Sequence, residues 1–410
     1  MSSKELVDST KESLERKAGR LLFIGLPVTT LDRHWRALLR EVRPGGVILF
    51  GRNIESAEQV ALLCAQIRDA AGAGVFVGVD QEGGLVDRFR EICEPSPSAK
   101  SVRDAGRAEL AQEFGKLTAR VLRLLGFNMN FAPVLDLSGD NEENGLRART
   151  FGVNPEMVSL LAGAYLDGMQ AGRVVAVGKH FPGLGGSKVD SHRRLPVITK
   201  TWEEIFERDL VPFMDLMFHR PGEQLRAVMV SHAAFPDVSE FLQAWFRRSG
   251  APATMQGLHE FPATISGNVT ARLLRLILKF DGLVITDDME MGAVVQTLSV
   301  SEASLRAIEA GSDMVLICEH EANFVAARDE IVKAVRDGRL SVRALDAASR
   351  RMDSALKLAG EPEQFDAEEF QAASRRIAQL KLDLKAAEET GEYAPLYGTE
   401  DGGVRRSSNF

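Results

Sequence analysis

The chain alternates short apolar runs with longer amphipathic stretches over most of its 410 residues. Each apolar run is nearly continuous, which is typical of parallel strands covered on both faces. The eight runs are Arg20–Leu26, Gly46–Phe50, Val75–Val79, Asn128–Ala132, Val174–Gly178, Ala227–Ser231, Leu283–Thr286 and Asp313–Ile317. Eight strand–helix units in succession predict an α/β fold, a TIM (β/α)8 barrel. The alternative is an open doubly wound sheet, but no GxGxxG motif follows the first run.

Helical stretches with recognisable start residues lie between most of these runs. Ser56 with Gln59 fits a capping box, in which a hydroxyl and an amide satisfy each other's backbone N–H groups. Asn154 before Pro155 predicts another helix start. The remaining predictions are a capping box at Thr201 with Glu204 and helices over Ala57–Ala71, from Pro155 to about Gly172, before Gly126, over Thr270–Lys279 and over Val300–Ala310.

Two segments depart from this alternation. Asp237–Pro262, between the sixth and seventh runs, is expected to be an elaborated loop. After Gly360 the chain becomes charged and rich in alanine, which predicts an amphipathic helix. The polar residues that follow, 390–410, predict a mobile tail. We therefore expect a single barrel domain over residues 1–360 and a helical extension with a tail over 361–410.

Composition limits the partners and the compartment. A net charge of −8 offers no basic surface, which argues against nucleic acid or an anionic membrane as the main partner. The three cysteines show no CxxC spacing and indicate reduced thiols. The N-terminus lacks the apolar segment of a secretory signal, and no run is long enough to span a bilayer. We expect a cytoplasmic protein, and the sequence does not indicate its oligomeric state.

Charged residues recur where the apolar runs end. Active sites of such barrels form at the carboxyl ends of the strands. Polar loops alone would explain one such residue. An acid or a cation at the ends of the third, fifth and seventh runs together favours an active site. The polar residues that end runs are Asp80 to Glu82, Asp136, Lys179 with His180, Ser231 with His232, Asp287 with Asp288, and Glu319 with His320.

Asp287 is the sharpest single candidate. It follows a run that can bury itself completely, so its carboxylate can be held rigidly, as a glycosidase nucleophile requires. Asp288 is its competitor, because adjacent strand residues face opposite ways. Either aspartate could instead cap the following helix.

Asp190 and His192 form a second feature, in the Gly-rich segment GLGGSKVDSH. Residues two apart project to the same side of an extended chain, so the carboxylate can tune the imidazole. Such a pair is a competent general acid/base near neutral pH, although an ordinary surface Asp-x-His is the alternative.

Lys179 and His180 can hydrogen-bond sugar hydroxyls, or they can be a solvated charge and a structural histidine. Arg88 and Arg149 are further donors. His180, His192 and His232 could in principle join Asp287 around a metal, but no HxH or HExxH motif supports this, and we expect no metal.

Several motifs, taken in order, resemble glycoside hydrolase family 3. They are RPGGVILFGRNI, VGVDQEGG, FAPVLD, KHFPG, VDSH and ITDDMEM, and they cover roughly Leu21 to Ile317. Within that family, KHFPG-x-G followed after four residues by Asp-Ser-His resembles the single-domain β-N-acetylglucosaminidase (β-N-acetylhexosaminidase) subgroup. The resemblance implies a carbohydrate substrate, in particular peptidoglycan-derived muropeptides, and no cofactor.

The resemblance also implies residue roles. Asp287 matches the catalytic nucleophile, His192 the proton donor and Asp190 its partner in an Asp–His dyad. The residues that match the sugar-binding positions are Asp80, Arg88, Arg149, Lys179 and His180. Three features depart from the subgroup: Leu184 replaces a usual histidine, Leu85 a common arginine, and Asp237–Pro262 is unlike the usual loop.

These roles imply a retaining mechanism with a covalent glycosyl-enzyme on Asp287. Asp190 would favour the protonated state of the His192 imidazole. Three alternatives stay open: a glycoside phosphorylase on the same fold, because a histidine acid/base does not repel phosphate; a β-glucosidase; and an inactive sugar-binding barrel.

Overall fold

The computed structural model describes residues 14–72, 74–139, 144–187, 194–220, 222–248 and 261–390. Within them, eight parallel strands pair in sequence order and close into a barrel, with β1 beside β8. The strands are β1 Leu22–Gly25, β2 Gly46–Leu49, β3 Phe76–Val79, β4 Met129–Asn130, β5 Val175–Phe181, β6 Ala227–Val230, β7 Leu283–Asp288 and β8 Met314–Ile317. The predicted TIM barrel is confirmed, and the open sheet is excluded.

Helices cover the outside of the barrel, and several begin where the sequence predicts. The main ones are Arg33–Val42, Ala57–Ala71, Ala99–Ala105, Ala108–Leu124, Pro155–Ala171, the mixed segment 202–219, Pro236–Arg248, Asn268–Ile277, Val300–Glu309, Glu321–Arg336, Val342–Leu356 and Ala367–Thr390. Asn154 accepts a hydrogen bond from the Met157 N–H, as expected of a helix cap. Thr201 and Glu204 form the predicted capping box.

Other local predictions need correction. Ser56 caps its helix, but the Gln59 side chain accepts from the N–H of Glu55 rather than from that of Ser56. The loop expected over Asp237–Pro262 is wrong in its first half, because a helix runs over Pro236–Arg248. Its second half, 249–260, lies outside the described residues. The helix predicted over Thr270–Lys279 begins two residues earlier and has the wider π-type hydrogen bonding.

Two apolar layers result from the strand alternation. Side chains such as Phe23, Phe76 and Met229 fill the barrel interior, while their strand neighbours, such as Val77 and Val230, pack outward against the helices. The helix Ala367–Thr390 adds to the outer layer through Phe370 and other buried side chains. Within the described parts of the chain, no helix combines the length and the apolar character needed to cross a bilayer.

Candidate active site

Three strands of the barrel, β3, β5 and β7, lead to a charged residue at their carboxyl ends. On β3, β5 and β7 the inward positions recur every second residue, as in Leu283 and Ile285 of β7. Asp80, Lys179 and Asp287 follow these positions at the carboxyl ends of β3, β5 and β7, where the pairing of β5 with β6 and of β7 with β8 becomes irregular. This is the end where active sites of TIM barrels form.

Four charged side chains form one network there. Lys179 donates from Nζ to Asp80 Oδ1 over 2.8 Å and lies 2.6 Å from Glu82 Oε1. Arg149 donates to both carboxylate oxygens of Glu82, from Nε over 2.8 Å and from Nη2 over 2.9 Å. The Lys179 and Glu82 side chains are only 3% and 4% exposed, so water does not screen these pairs.

Burial and charge act in opposite directions on this network. Burial raises the pKa of Glu82, but the Arg149 and Lys179 cations more than offset it and hold that pKa well below its usual range. Burial lowers the pKa of Lys179, and Asp80 and Glu82 reverse the shift, so the pKa is raised. Glu82 and Lys179 are therefore charged at neutral pH, which gives the mouth a fixed cationic donor and a fixed carboxylate acceptor.

Arg88 lies at the edge of this network. Its Nη2 is 4.0 Å from Asp80 Oδ2, and its guanidinium lies 5.7 Å from the centre of the Phe50 ring. Its buried Nε has no hydrogen-bond partner among the described residues. The Arg88 backbone N–H donates to Gln81 Oε1 over 2.8 Å, which ties its loop to the end of β3.

The Asp136 carboxylate holds the His180 side chain in place. Its Nδ1 lies 2.6 Å from Asp136 Oδ2, and Asp136 is fully buried. Asp136 Oδ1 also accepts from the backbone N–H of Leu184 over 2.6 Å. Asp136 therefore orients the imidazole and also fixes the start of the Gly-rich segment. The Leu184 side chain, where the subgroup usually has histidine, is buried in the core.

Asp287 and Asp288 differ in their surroundings, although both belong to β7. Asp287 Oδ1 accepts from the Asp288 N–H over 2.8 Å, and Asp288 Oδ1 accepts from the Glu290 N–H over 3.1 Å. Burial, with the charges of Glu290 and Asp287 as further contributions, raises the pKa of Asp288 to about 7. Burial raises the pKa of the Cys318 thiol, and the charges of both aspartates raise it further. Cys318 directly follows β8, so both aspartates lie close to the mouth of the barrel.

Some predicted site residues lie outside the described residues, and others lie at the surface or in the core. Asp190 and His192 fall in 188–193, outside the described residues. Leu85 is 64% exposed at the surface. His232 is buried, with Nδ1 bonded to Thr264 Oγ1 and Nε2 to the Asp288 carbonyl, both at 2.8 Å. Both its ring nitrogens are thus hydrogen-bonded.

Among the described residues, no group of three or more His, Cys, Asp or Glu side chains could hold a metal ion. The sequence-based site set also missed two carboxylates that organise the site. Glu82 bridges Lys179 and Arg149, and Asp136 orients His180. Both follow strands of the barrel, and the sequence analysis names both among the polar residues that end apolar runs, but their position alone does not reveal which side chains they pair with.

Comparisons with known proteins decide the family. A family model, the glycosyl hydrolase family 3 N terminal domain, matches residues 13–355. The chain belongs to glycoside hydrolase family 3. This glycoside hydrolase is 36% identical over 304 residues to a beta-hexosaminidase of Pseudomonas aeruginosa, covering 74% of this chain and 83% of that relative. A beta-hexosaminidase of Tolumonas auensis is 36% identical over 301 residues, or 73% and 83% of the two chains.

Solved structures agree with the assignment to family 3. A family 3 beta-N-acetylglucosaminidase from Paenibacillus sp. FPU-7 superposes with a TM-score of 0.77 at 31% identity, over 90% of this chain and 68% of that one. A family 3 glycosyl hydrolase from Mycobacterium smegmatis gives a TM-score of 0.72 at 29% identity, over 85% and 98%. The family predicted from the sequence is thereby confirmed.

Proposed function

We propose that this hydrolase releases terminal β-linked N-acetylglucosamine with retention of configuration. The observation that carries the proposal is the buried network of Lys179, Asp80 and Arg149 at the carboxyl end of the barrel, the end at which β7 presents Asp287. Rigid cations and carboxylates suit the hydroxyls of a sugar ring, and a carboxylate held by one backbone N–H suits attack on the anomeric carbon. The beta-hexosaminidase relatives support the choice of sugar.

In the proposed mechanism, Asp287 forms a covalent glycosyl-enzyme while His192 protonates the leaving oxygen. His192, assisted by Asp190, then removes a proton from water, and the water releases the sugar. We assign Asp80, Arg88, Arg149, Lys179 and His180 to the binding of the sugar. Lys179 and Arg149 stay protonated throughout, because the Glu82 carboxylate beside them raises the pKa of both side chains. The mechanism uses no cofactor.

Substitution of the two reacting groups tests this assignment. With a chromogenic N-acetyl-β-glucosaminide, we expect His192→Ala to lose about 10²- to 10⁴-fold in rate and Asp287→Ala to lose more, because the covalent route disappears. Asp281→Ala is a matched control, since that carboxylate precedes β7 and is 89% exposed. Near-wild-type rates in either active-site variant would refute its role.

Trapping the intermediate tests retention directly. A fluorinated N-acetylglucosaminide that deglycosylates slowly should add one sugar to the protein mass, on the peptide that contains Asp287. Product analysis with and without phosphate distinguishes hydrolysis from the phosphorylase alternative: release of the free sugar at an unchanged rate supports hydrolysis. A sugar 1-phosphate product would contradict it, and preference for the glucoside would replace the sugar assignment.

We further propose that the natural substrates are peptidoglycan-derived muropeptides and that the protein works in the cytoplasm. The three reduced cysteines are consistent with that compartment: Cys64 and Cys318 are buried, and burial raises the pKa of Cys64 to about 12. Incubation with purified muropeptides, followed by mass spectrometry, should show loss of one N-acetylglucosamine. Turnover of the chromogenic substrate without muropeptide cleavage would restrict the proposal to other aglycones.

A further inference from the structure

The C-terminal helix, Ala367–Thr390, lies outside the residues that match the family model. It packs along the helices Ala99–Ala105 and Ala108–Leu124. Its buried side chains belong to the same core as the helices that surround the barrel; they are Phe370, Ala373, Ile377, Leu380 and Leu384. The helix therefore lies beyond the matched domain but shares its core.

The same helix contacts the loop that follows β3. Ser374 Oγ accepts a hydrogen bond from the backbone N–H of Glu94 over 2.9 Å. Lys381 Nζ lies 2.8 Å from Glu94 Oε1. Burial raises the pKa of the Cys93 thiol, and the neighbouring Ser374 hydroxyl offsets part of that rise. The ion pair is more than a third exposed and contributes little by itself, so the Ser374 contacts dominate.

This loop also carries Arg88, and short-range hydrogen bonds connect its two ends. The backbone N–H groups of Ile92 and Cys93 donate to the Phe89 carbonyl over 2.9 and 2.8 Å, which forms a tight turn directly after Arg88. Phe89 itself is 2% exposed. A short hydrogen-bonded turn therefore joins Cys93 to Phe89, the residue next to Arg88.

We propose that the C-terminal helix is a clamp that fixes Arg88 in the sugar site, with Ser374 and Lys381 as positioning residues. The inference rests on the proposed function, in which Arg88 binds the sugar. If the contacts of Ser374 and Lys381 with the loop favour the position of Arg88 that binds the sugar, then sugar binding must favour those contacts to the same extent. The clamp should therefore affect substrate affinity more than the chemical step.

Kinetics of the full-length protein test the clamp. We expect Ser374→Ala with Lys381→Ala to raise KM about threefold to tenfold and to leave kcat within about twofold, as expected when one or two modest contacts are lost. Arg376→Ala is the matched control, because Arg376 lies on the same helix but pairs with Glu113 rather than with the loop. An unchanged KM in the double variant overturns the proposal.

Alkylation of Cys93 provides a readout that does not depend on turnover. Cys93 is partly exposed, whereas Cys64 and Cys318 are buried. We expect the double variant Ser374→Ala with Lys381→Ala to speed iodoacetamide modification of Cys93, although loss of the Ser374 hydroxyl by itself raises the pKa of that thiol, and N-acetylglucosamine to slow the modification in the wild type. Peptide mass spectrometry identifies the modified cysteine.

The two experiments separate this inference from the proposed function. If the wild type neither binds nor cleaves N-acetylglucosaminides, the proposed function fails and the clamp inference falls with it. If the wild type cleaves them but N-acetylglucosamine does not change the Cys93 alkylation rate, only the clamp is overturned.

Discussion

At the scale of single residues, the site depends on carboxylates that the substrate does not need to touch. The buried Glu82 carboxylate lies against two cations, Lys179 of β5 and Arg149 of the segment between β4 and β5. Burying such charges is costly, and the network is stable only while every charge is compensated. Loss of one member therefore leaves its partners buried without compensation.

We expect Glu82→Gln to lower the free energy of unfolding by about 3–5 kcal/mol, the usual effect of breaking a buried ion pair. It should also raise KM, because Lys179 and Arg149 lose the carboxylate that orients them. Urea denaturation and steady-state kinetics measure the two effects. Glu113→Gln, whose partner Arg376 is 48% exposed, should cost less than about 1 kcal/mol. Equal losses in the two variants would contradict the argument.

Asp288 should give the stability a distinct pH dependence. Its pKa is about 7 in the folded chain, against an ordinary value of 3.8. Between these values the unfolded chain has lost a proton that the folded chain retains, so this group's contribution to stability falls as pH rises through the window. Asp288→Asn should therefore flatten the decline in unfolding free energy between about pH 4 and pH 7. Parallel wild-type and variant curves over that range would show that Asp288 ionises normally.

At the scale of secondary-structure elements, two outer helices approach each other through glycine. A methyl group on Gly168 would lie 2.2 Å from the Gln112 carbonyl oxygen, and one on Gly115 would lie 2.1 Å from the Tyr165 carbonyl oxygen. The helices Ala108–Leu124 and Pro155–Ala171 therefore touch backbone to backbone. This contact fixes the two helices that flank β4.

Gly168→Ala should destabilise the protein although alanine is the better helix former. Overpacking of a tight contact typically costs about 1–3 kcal/mol, which exceeds the gain in helix propensity of about 1 kcal/mol. Gly163→Ala in the same helix is the control, because the three atoms nearest to its methyl group belong to the Arg220 side chain rather than to backbone, at 3.0 to 3.2 Å. Thermal denaturation should show a lower Tm for Gly168→Ala and a nearly unchanged Tm for Gly163→Ala. A higher Tm for Gly168→Ala would mean that the helices can separate without cost.

At the scale of the whole molecule, the barrel and the C-terminal helix share one core. Phe370, Ile377 and Leu380 belong to the same apolar cluster as the helices around the barrel. Residues 361–390 should therefore not unfold as a separate unit, although the sequence suggests a boundary at 360. Differential scanning calorimetry should show one cooperative transition. A separate transition at lower temperature, absent after truncation at Gly360, would support two independent units.

The sequence by itself determined the barrel and the chemical character of its mouth. Eight apolar runs and the helices between them specify parallel strands, because the periodicity of apolar residues is a local property of the chain. Asp80, Lys179 and Asp287 could be assigned to one rim, because all parallel strands present their carboxyl ends there.

Only the tertiary structure decided how those residues are paired. Glu82 and Arg149 are 67 residues apart, and Asp136 and His180 are 44 apart, and no local pattern encodes either contact. The same holds for Ser374 on Glu94, at a separation of 280 residues. The strand ends meet because the barrel closes, and closure is a property of the whole chain rather than of any one segment.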